Sequence, residues 1–306
     1  MAALQIAVAA VVEGLAHSLH SGARRLFHGR GHCYGELDYI NIDWYQPVLL
    51  ITLYRAVDER EWSAFVDALT VVKGLVACAV VQHRQLRDGP IDLLWGQLPE
   101  DLCAVESGLR YRLSLGEKQN IGFFLDMAPG RRWLQERAQD RRVLNLFAYT
   151  CAFSVAAVAG GAERVVNVDM SKAALAVGRH NHVLNQQQHK IQRDVQFLGY
   201  DLFRCWGKVS RAGPYDLAVI DPPSRQKGSF VAVKDYVRVL RRITELMAPG
   251  ADVLLCLNAP ELTETFLTDS VAAELPGARL IERLENRPDL PEIDPQRNVK
   301  MLHYQL

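Results

Sequence analysis

The chain has 306 residues, of which 49% are hydrophobic and 23% are charged, with 35 basic and 35 acidic side chains that cancel. This composition supports a buried core and excludes an intrinsically disordered chain, a collagen-like chain and a coiled coil. The length corresponds to about two domains. No run of about 18 apolar residues occurs, so we expect no membrane-spanning helix.

Six cysteines occur singly, and none has the C-x-x-C spacing of structural zinc sites or redox motifs. We therefore expect no metal site. Scattered thiols without a signal peptide indicate a reducing compartment, the cytosol. The apolar segment 1–15 is interrupted by Glu13, which favours an amphipathic opening helix over a cleaved leader.

After an N-terminal helical segment at 1–35, residues 36–112 are predicted to form a small α+β domain. Alternating apolar and polar residues predict strands at Tyr39–Asp43 and Val48–Arg55, and a helix with one apolar face follows Asp58. Two more strands are predicted at Leu75–Gln82 and Ile91–Trp95. No cluster of chemically active residues occurs here, so we interpret this part as a docking or spacer domain.

From 113 to 306, strands alternate with helices, which is typical of a doubly wound α/β fold with a parallel sheet. The predicted strands are Arg142–Phe147, Arg164–Val168, Val195–Leu198, Asp216–Ile220, Ala251–Leu257, Arg279–Leu284 and Lys300–Gln305. The predicted helices are Phe153–Ala159, Ser171–Asn185, Val231–Met247 and Glu261–Ala273. Ligands of such sheets bind beyond the carboxyl ends of the strands, near the switch in strand order.

Four strand ends carry residues suited to a nucleotide-like ligand. The turn Phe147–Phe153 leads into a helix N-terminus, where backbone amides meet a ligand. Asp169 follows the second strand, where a carboxylate accepts hydrogen bonds from ribose hydroxyls. Asp201 follows the third strand in position for an adenine amine, and Asp221-Pro222-Pro223-Ser224 follows the fourth. Each aspartate alone is also a common cap or turn residue, but four ordered strand ends predict one site.

The run Val143-Leu144-Asn145-Leu146-Phe147-Ala148-Tyr149-Thr150 resembles motif I of class I S-adenosylmethionine-dependent methyltransferases. Asp169-Met170-Ser171 resembles the acidic ribose motif, and Asp221-Pro222-Pro223-Ser224 motif IV, of the bacterial large-subunit rRNA methyltransferase branch (RlmK/RlmI-like). Lys118–Asp126 resembles the segment that leads into that branch's catalytic domain. The resemblance covers most of the chain. One departure is Cys151, where the family usually has glycine; we expect its side chain to crowd the methionine part of the cofactor.

The resemblance implies an enzyme with a Rossmann-like fold, S-adenosyl-L-methionine as cofactor and RNA, specifically large-subunit rRNA, as partner. It implies cofactor contacts by Phe147, Tyr149, Thr150, Cys151, Ala152, Phe153, Asp169, Met170, Ser171, Asp201, Leu202 and Asp221. Asp221, Pro222 and Pro223 are expected to orient the acceptor. Substrate contacts are expected from Phe123, Phe124, Asp126, Ser224, Arg225 and Lys227.

Three acceptor chemistries place different demands on the site. Methylation at C5 of a pyrimidine needs a cysteine thiolate, which the resembling enzymes carry just after the fifth strand; here that position holds Ala259, and Cys256 lies within the strand. Methylation of an exocyclic amine uses an aromatic residue at the position of Ser224 to stack on the base. Guanine N7 has a free lone pair and needs only positioning. We therefore favour guanine N7, in agreement with the RlmK resemblance, and disfavour 5-methylcytosine.

Three basic clusters are candidate RNA contacts. They are Arg225, Lys227, Lys234, Arg238, Arg241 and Arg242; Arg131, Arg132, Arg137, Arg141 and Arg142; and Arg24, Arg25 and Arg30. The helical spacing within the first cluster fits a solvated helix face equally well.

Two alternatives to an rRNA methyltransferase stay open. The neutral total charge also suits a methyltransferase that acts on a small molecule or a protein. Cys151 and Ser224 would suit a non-catalytic RNA-binding or ribosome-assembly factor that keeps the fold. A dehydrogenase is disfavoured because the G-x-G-x-x-G fingerprint is missing. No pattern in the sequence indicates the oligomeric state.

Overall fold

The structure is a computed structural model that describes residues 2–18, 22–189, 194–226 and 230–306. It divides into two compact units. The first unit comprises Met1–Leu125 and Arg287–Ile293, and the second comprises Asp126–Asn286 and Asp294–Leu306. The division at Leu125 lies later than the boundary proposed from the sequence at 112, and a late segment of the chain belongs to the first unit.

The first unit is built on a five-stranded sheet. Its elements are α1 (Ala2–Ser18), β1 (Arg24–His28), β2 (Ile40–Tyr45), β3 (Val48–Leu53), α2 (Glu59–Leu69), β4 (Cys78–His83), β5 (Ile91–Trp95), β6 (Cys103–Glu106) and β7 (Leu109–Arg112). The strand order is β1-β2-β3-β4-β5, and α2 connects the parallel pair β3 and β4. The sequence predicted four of these strands but placed β1 in a helical segment, because Arg24–His28 lacks alternation.

The predicted amphipathic opening helix is confirmed. Leu4, Ala7, Val11 and Leu15 lie on the buried side of α1, whereas Ile6 is half exposed. The buried side packs into one core with α2 and the five-stranded sheet. None of the described helices is long and apolar enough to cross a membrane.

Arg25 connects the late segment Arg287–Ile293 to the rest of the first unit. The Arg25 guanidinium pairs with both carboxylate oxygens of Asp43, at 2.7 and 3.1 Å. The backbone N–H of Arg25 donates to Asp289, which also pairs with Arg287 at 2.6 Å. Arg25 is therefore engaged inside the protein, contrary to its assignment to a cluster that contacts RNA.

The second unit is built on a seven-stranded sheet. Its elements are α3 (Ala128–Arg137), β8 (Arg142–Leu146), α4 (Ala152–Ala159), β9 (Arg164–Val168), α5 (Lys172–His189), β10 (Asp194–Leu198), α6 (Trp206–Ala212), β11 (Tyr215–Ile220), β12 (Arg225–Gln226), β13 (Phe230–Val231), α7 (Ala232–Ile243), β14 (Met247–Leu257), α8 (Glu264–Glu274), β15 (Arg279–Arg283) and β16 (Lys300–Gln305). The strand order is β10-β9-β8-β11-β14-β16-β15, with β16 antiparallel to both neighbours.

The helices cover both faces of this sheet. On one face, α6, α7 and α8 contribute apolar side chains to a single core that includes Val209, Tyr236, Val239, Leu267 and Val271. On the other face, α3 and α4 contribute Trp133, Leu134, Phe153 and Ala157. This arrangement is the predicted doubly wound α/β fold.

The boundary between α7 and β14 differs from its prediction. The helix ends at Ile243, four residues before the predicted end, and β14 begins at Met247. Met247 pairs with Tyr215, and the register then shifts so that Asp252 pairs with Leu217. Pro249 and Gly250 lie in the extra loop of β14 that this shift creates, and Gly250 has a φ of 74°. The proline and glycine thus interrupt a strand instead of separating a helix from it.

A buried chain of hydrogen bonds crosses the sheet below the carboxyl ends of the strands. Asn145 on β8 donates to Asn167 on β9 at 2.8 Å, and Asn167 donates to Ser154 of α4 at 2.9 Å. Ser154 in turn lies 2.9 Å from His182 Nε2 on α5. Burial lowers the pKa of His182 to about 4, so the imidazole is neutral at physiological pH. This network of hydrogen bonds fixes β8, β9, α4 and α5 relative to one another.

Candidate active site

The predicted strand ends lie side by side at one edge of the seven-stranded sheet. The last residue of β8 pairs in register with the last residues of β9 and β11, and β9 pairs likewise with β10. The strand order reverses between β8 and β11, which is where such sheets bind ligands. The residues that follow these four strands include Phe147, Asp169, Asp201 and Asp221.

The loop between β8 and α4 alternates into the left-handed backbone region. Phe147, Tyr149 and Cys151 have φ values of 59°, 47° and 61°. Such conformations are unfavourable for residues other than glycine and concentrate at functional sites. Helix α4 begins directly after this loop, at Ala152. The backbone N–H groups of its first turn therefore have no carbonyl acceptor within the helix. These amides form an anion-binding end beside the strand ends.

Asp169 connects this loop to the end of β9. One carboxylate oxygen accepts the backbone N–H of Tyr149 at 2.8 Å, and the other accepts that of Ser171 at 2.7 Å. Burial raises the pKa of Asp169, and these two hydrogen bonds oppose the rise. Each oxygen keeps a further lone pair for a ligand hydroxyl. The Ser171 hydroxyl accepts the N–H of Ala174, so it caps α5, and Met170 is exposed.

Cys151 is accommodated by α5. Its side chain is fully buried with Ala148 and Leu175, and a β-carbon at Gly178 of α5 would collide with the Cys151 sulfur. Asn181, one helical turn later, donates to the backbone oxygen of Thr150 at 3.0 Å. The thiol thus fills space that Gly178 leaves open, and not space in front of the loop as we expected. Burial raises the pKa of Cys151, in agreement with a packed residue and not a reactive thiol.

Asp201 caps the short turn Leu202–Arg204. One carboxylate oxygen accepts the N–H of Phe203 at 3.0 Å, and the other lies 3.9 Å from Arg204. This second oxygen can still accept a hydrogen bond from a ligand amine at the same edge of the sheet. The side chain of Leu202 is buried in the core, so only its backbone is available to a ligand.

Asp221 lies beside a second carboxylate and a buried arginine. Burial and, to a smaller extent, the charge of Asp126 raise the pKa of Asp221 to about 7, against the opposing charge of Arg131. Arg131 is buried on α3, although the sequence placed it in a cluster for RNA. Arg131 is therefore a residue of the site, although the sequence analysis assigned it to a surface that contacts RNA.

Asn258 is a site residue that the sequence analysis did not assign. It directly follows β14 and forms an isolated bridge with Pro223 of motif IV. Its side-chain amide points towards Asp126, with 3.5 Å between Nδ2 and Oδ2. Extending the strand-end rule to the fifth strand would have found it. Asp126, Asp221 and Asn258 thus converge where motif IV meets the end of β14.

The structure supports the distinction drawn between Cys256 and a catalytic thiol. Cys256 lies within β14, is fully buried, and accepts the Tyr236 hydroxyl with its backbone oxygen at 3.0 Å. Burial raises its pKa well above that of a free thiol. Ala259, the residue at the nucleophile position, is buried, and its backbone oxygen accepts from Lys300.

The predicted substrate residues fall into both units. Phe123 is buried in the first unit and stacks on Tyr111 with ring centroids 4.8 Å apart, which makes it a core residue there. Phe124 in the same unit is 39% exposed. Ser224 and Arg225 are exposed in the second unit. Lys227 lies outside the described residues.

Many arginines of the predicted basic clusters are ion-paired within the second unit. The pairs are Arg137 with Glu282, Arg141 with Asp252, Arg142 with Asp216, Arg238 with Asp235, Arg241 with Glu274, and Arg242 with Glu245. A paired guanidinium attracts a phosphate less than a free one. These clusters are therefore weaker candidates for RNA contacts than their sequence suggests.

The residues at this edge fit S-adenosylmethionine. Its ribose diol and adenine amine are hydrogen-bond donors, and Asp169 and Asp201 offer carboxylate acceptors on neighbouring strand ends. Its methionine carboxylate matches the free amides at the start of α4. The left-handed loop Phe147–Cys151 connects the end of β8 to these amides.

The contact between Cys151 and Gly178 predicts that the cost of an alanine at Gly178 depends on the side chain of Cys151. In the native chain, Gly178→Ala should lower the free energy of unfolding by about 1–3 kcal/mol, because the new methyl group overpacks against the sulfur. With Cys151→Gly present, only the Thr150 backbone oxygen stays close to the new methyl group, at 3.3 Å, so the same substitution should change the free energy of unfolding by less than about 1 kcal/mol. Urea denaturation of the four chains measures both effects.

Gly207→Ala in α6 provides the matched control, since a β-carbon there meets no atom within 4 Å. This substitution should leave the free energy of unfolding unchanged or raise it, both in the native chain and in Cys151→Gly. Equal effects of Gly178→Ala with and without Cys151 would contradict the packing described.

Comparisons with known proteins identify the family of this chain. The profile of the S-adenosylmethionine-dependent methyltransferase family matches residues 24–305. Ribosomal RNA large subunit methyltransferase I of Tolumonas auensis is 30% identical over 84% of this chain and 68% of its own length. Ribosomal RNA large subunit methyltransferase K/L of a Shewanella species is 32% identical over 78% of this chain, but this chain spans only 34% of that protein.

A solved structure described as a methyltransferase complexed with SAH covers 99% of this chain and 82% of its own, with a TM-score of 0.84 and 24% identity. The likeness confirms the predicted fold class. Together with the family match over most of the chain, it establishes that this chain belongs to the S-adenosylmethionine-dependent methyltransferase family, with S-adenosylmethionine as its cofactor.

Proposed function

We propose that the protein methylates a base of large-subunit rRNA, and that guanine N7 is the acceptor atom. The choice of RNA is supported by two groups of relatives named as large-subunit rRNA methyltransferases. The site of such an enzyme would be the edge formed by the ends of β8, β9, β10, β11 and β14. Ribosomal RNA as substrate also agrees with the cytosolic location expected from the sequence.

The observation that carries the choice of acceptor atom is the chemistry at the end of β14. A pyrimidine C5 methyltransferase needs a thiolate there to add to the base. Ala259 occupies that position, and the neighbouring Cys256 is buried in the strand. Ser224 is exposed but has no ring on which an amino-bearing base would stack. The residues present thus favour an acceptor that needs neither a nucleophile nor a stacking partner at motif IV.

Guanine N7 satisfies that requirement. S-adenosylmethionine supplies, when bound, a methyl group attached to a cationic sulfur. The N7 lone pair accepts this methyl group without loss of a proton, and positive charge then develops on the base. The neighbouring carboxylates of Asp221 and Asp126 would stabilise that charge. Asp169 and Asp201 would hold the cofactor, and the backbone of motif IV would orient the base.

Transfer of labelled methyl to separated cellular fractions tests this function. The fractions are large-subunit rRNA, small-subunit rRNA, tRNA, DNA, protein and small metabolites from cells that lack the enzyme. We expect label in large-subunit rRNA, recovered as 7-methylguanosine. Label in 5-methylcytidine would overturn the acceptor assignment, and label confined to protein or metabolites would overturn the RNA assignment.

The paired carboxylates also predict the pH dependence of kcat/KM, which reports the ionisation of the free enzyme. Because the pKa of Asp221 is raised to about 7, the stabilising carboxylate is lost as the pH falls through that value. The value of kcat/KM should therefore rise between about pH 6 and 8. Asp126→Asn removes the like charge but keeps an acceptor for Asn258, so it should move the acidic limb to lower pH. An acidic limb of the pH profile that stays in place or moves to higher pH would contradict the interaction between Asp126 and Asp221.

A further inference from the structure

A row of aromatic side chains runs outwards from the cofactor loop of the second unit. The Phe147 ring meets the buried Phe230 ring edge-on at 5.0 Å. Phe230 stacks with Phe203 at 6.4 Å, and Phe203 contacts Trp206 of α6 at 6.2 Å. Phe203 and Trp206 are half-buried, so the outer end of the row reaches the surface.

Cations lie over the outer rings. Arg238 of α7 lies 4.0 Å from the centre of the Phe203 ring, and Lys208 of α6 lies 3.5 Å from that of Tyr200. Tyr200 is 45% exposed and directly precedes Asp201 at the ligand-binding edge of the sheet. The surface therefore combines the exposed Tyr200 ring, and the partly exposed Phe203 and Trp206, with basic groups next to the predicted adenine position.

The charge of α6 differs from that of the ion-paired clusters. Residues 202–212 contain Arg204, Lys208 and Arg211 and no acidic residue. Lys208 and Arg211 are exposed and three residues apart, so they share one face of the helix. Arg204 is 88% exposed, and its guanidinium lies 3.9 Å from the Asp201 carboxylate. This stretch keeps a net positive charge at the surface.

We propose that this surface, formed by Tyr200, Phe203, Trp206, Lys208 and Arg211, binds a single-stranded segment of the RNA substrate. The proposal rests on the proposed function and deepens it. A base stacks on the exposed Tyr200 ring, the half-buried Phe203 and Trp206 form the apolar floor beside it, and the α6 cations contact phosphates. An acidic protein would match the charge but not the aromatic rings. Because Tyr200 adjoins Asp201, a strand on this surface lies at the sheet edge that binds the cofactor.

Reversing the charge of α6 tests the phosphate contacts. We compare the native chain with Lys208→Glu/Arg211→Glu, measuring fluorescence anisotropy of a labelled single-stranded RNA oligonucleotide of mixed sequence. Affinity should fall about tenfold or more at low salt. The slope of log affinity against log salt should become shallower by about 1.4, which is about 0.7 for each lost phosphate contact.

The matched control is Arg164→Glu/Arg279→Glu, which makes the same charge change at the amino ends of β9 and β15. Its RNA affinity should stay within about twofold of the native value. Equal losses in both double variants would show a general charge effect and overturn the assigned surface. S-adenosylmethionine binding, measured in parallel, verifies that both variants are folded.

Substitutions at Tyr200 test stacking. Tyr200→Phe keeps the ring and should retain RNA affinity, whereas Tyr200→Ala should lose about tenfold. Equal affinities for the two variants would contradict a stacking role.

These results separate the surface from the function. RNA binding by the native chain that none of the α6 or Tyr200 variants weakens would overturn the surface and leave rRNA methylation in place. No RNA binding by the native chain, with methyl transfer to protein instead, would overturn both.

Discussion

The cofactor site depends on the carboxylate of Asp169, because it joins three elements at the end of β9. Its two oxygens accept backbone N–H groups of Tyr149, in the loop after β8, and of Ser171, at the start of α5. The loop adopts left-handed conformations at three residues other than glycine, each of which costs about 1 kcal/mol or more. Short hydrogen bonds to a charged acceptor offset such strain. The cofactor then meets a carboxylate and a loop that are already in place.

Helix α5 supports the same loop from behind. Gly178 leaves space for the Cys151 side chain, and Asn181 holds the backbone oxygen of Thr150. The chain of hydrogen bonds from Asn145 to His182 ties this helix to β8 and β9. A cysteine at a position where glycine is usual is thus tolerated because a glycine elsewhere compensates for its volume. The departure in motif I is a change of packing and not a loss of the cofactor loop.

Local patterns predicted the parts of the structure that local physics controls. Alternation and strand-end position identified the sheet, the loop and the aspartates, because parallel strands bring their carboxyl ends to one edge. Local patterns could not predict contacts between residues far apart in the sequence. The Arg141–Asp252 pair joins residues 111 apart, and the Arg142–Asp216 pair joins residues 74 apart. Arginines that resemble an RNA surface in sequence are therefore engaged internally. The burial of Phe123 and the contact of Asn258 with Asp126 likewise depend on the folded chain.

Calorimetric titration of S-adenosylmethionine into the native chain, Asp169→Asn and Asp169→Ala tests the central role of this carboxylate. We predict that Asp169→Ala weakens binding at least about tenfold, because charged hydrogen bonds to both loop and ligand are lost. Asp169→Asn keeps an acceptor oxygen without the charge and should lie between the two. Urea denaturation verifies that each variant is folded. Equal affinity of Asp169→Ala and the native chain would contradict the account.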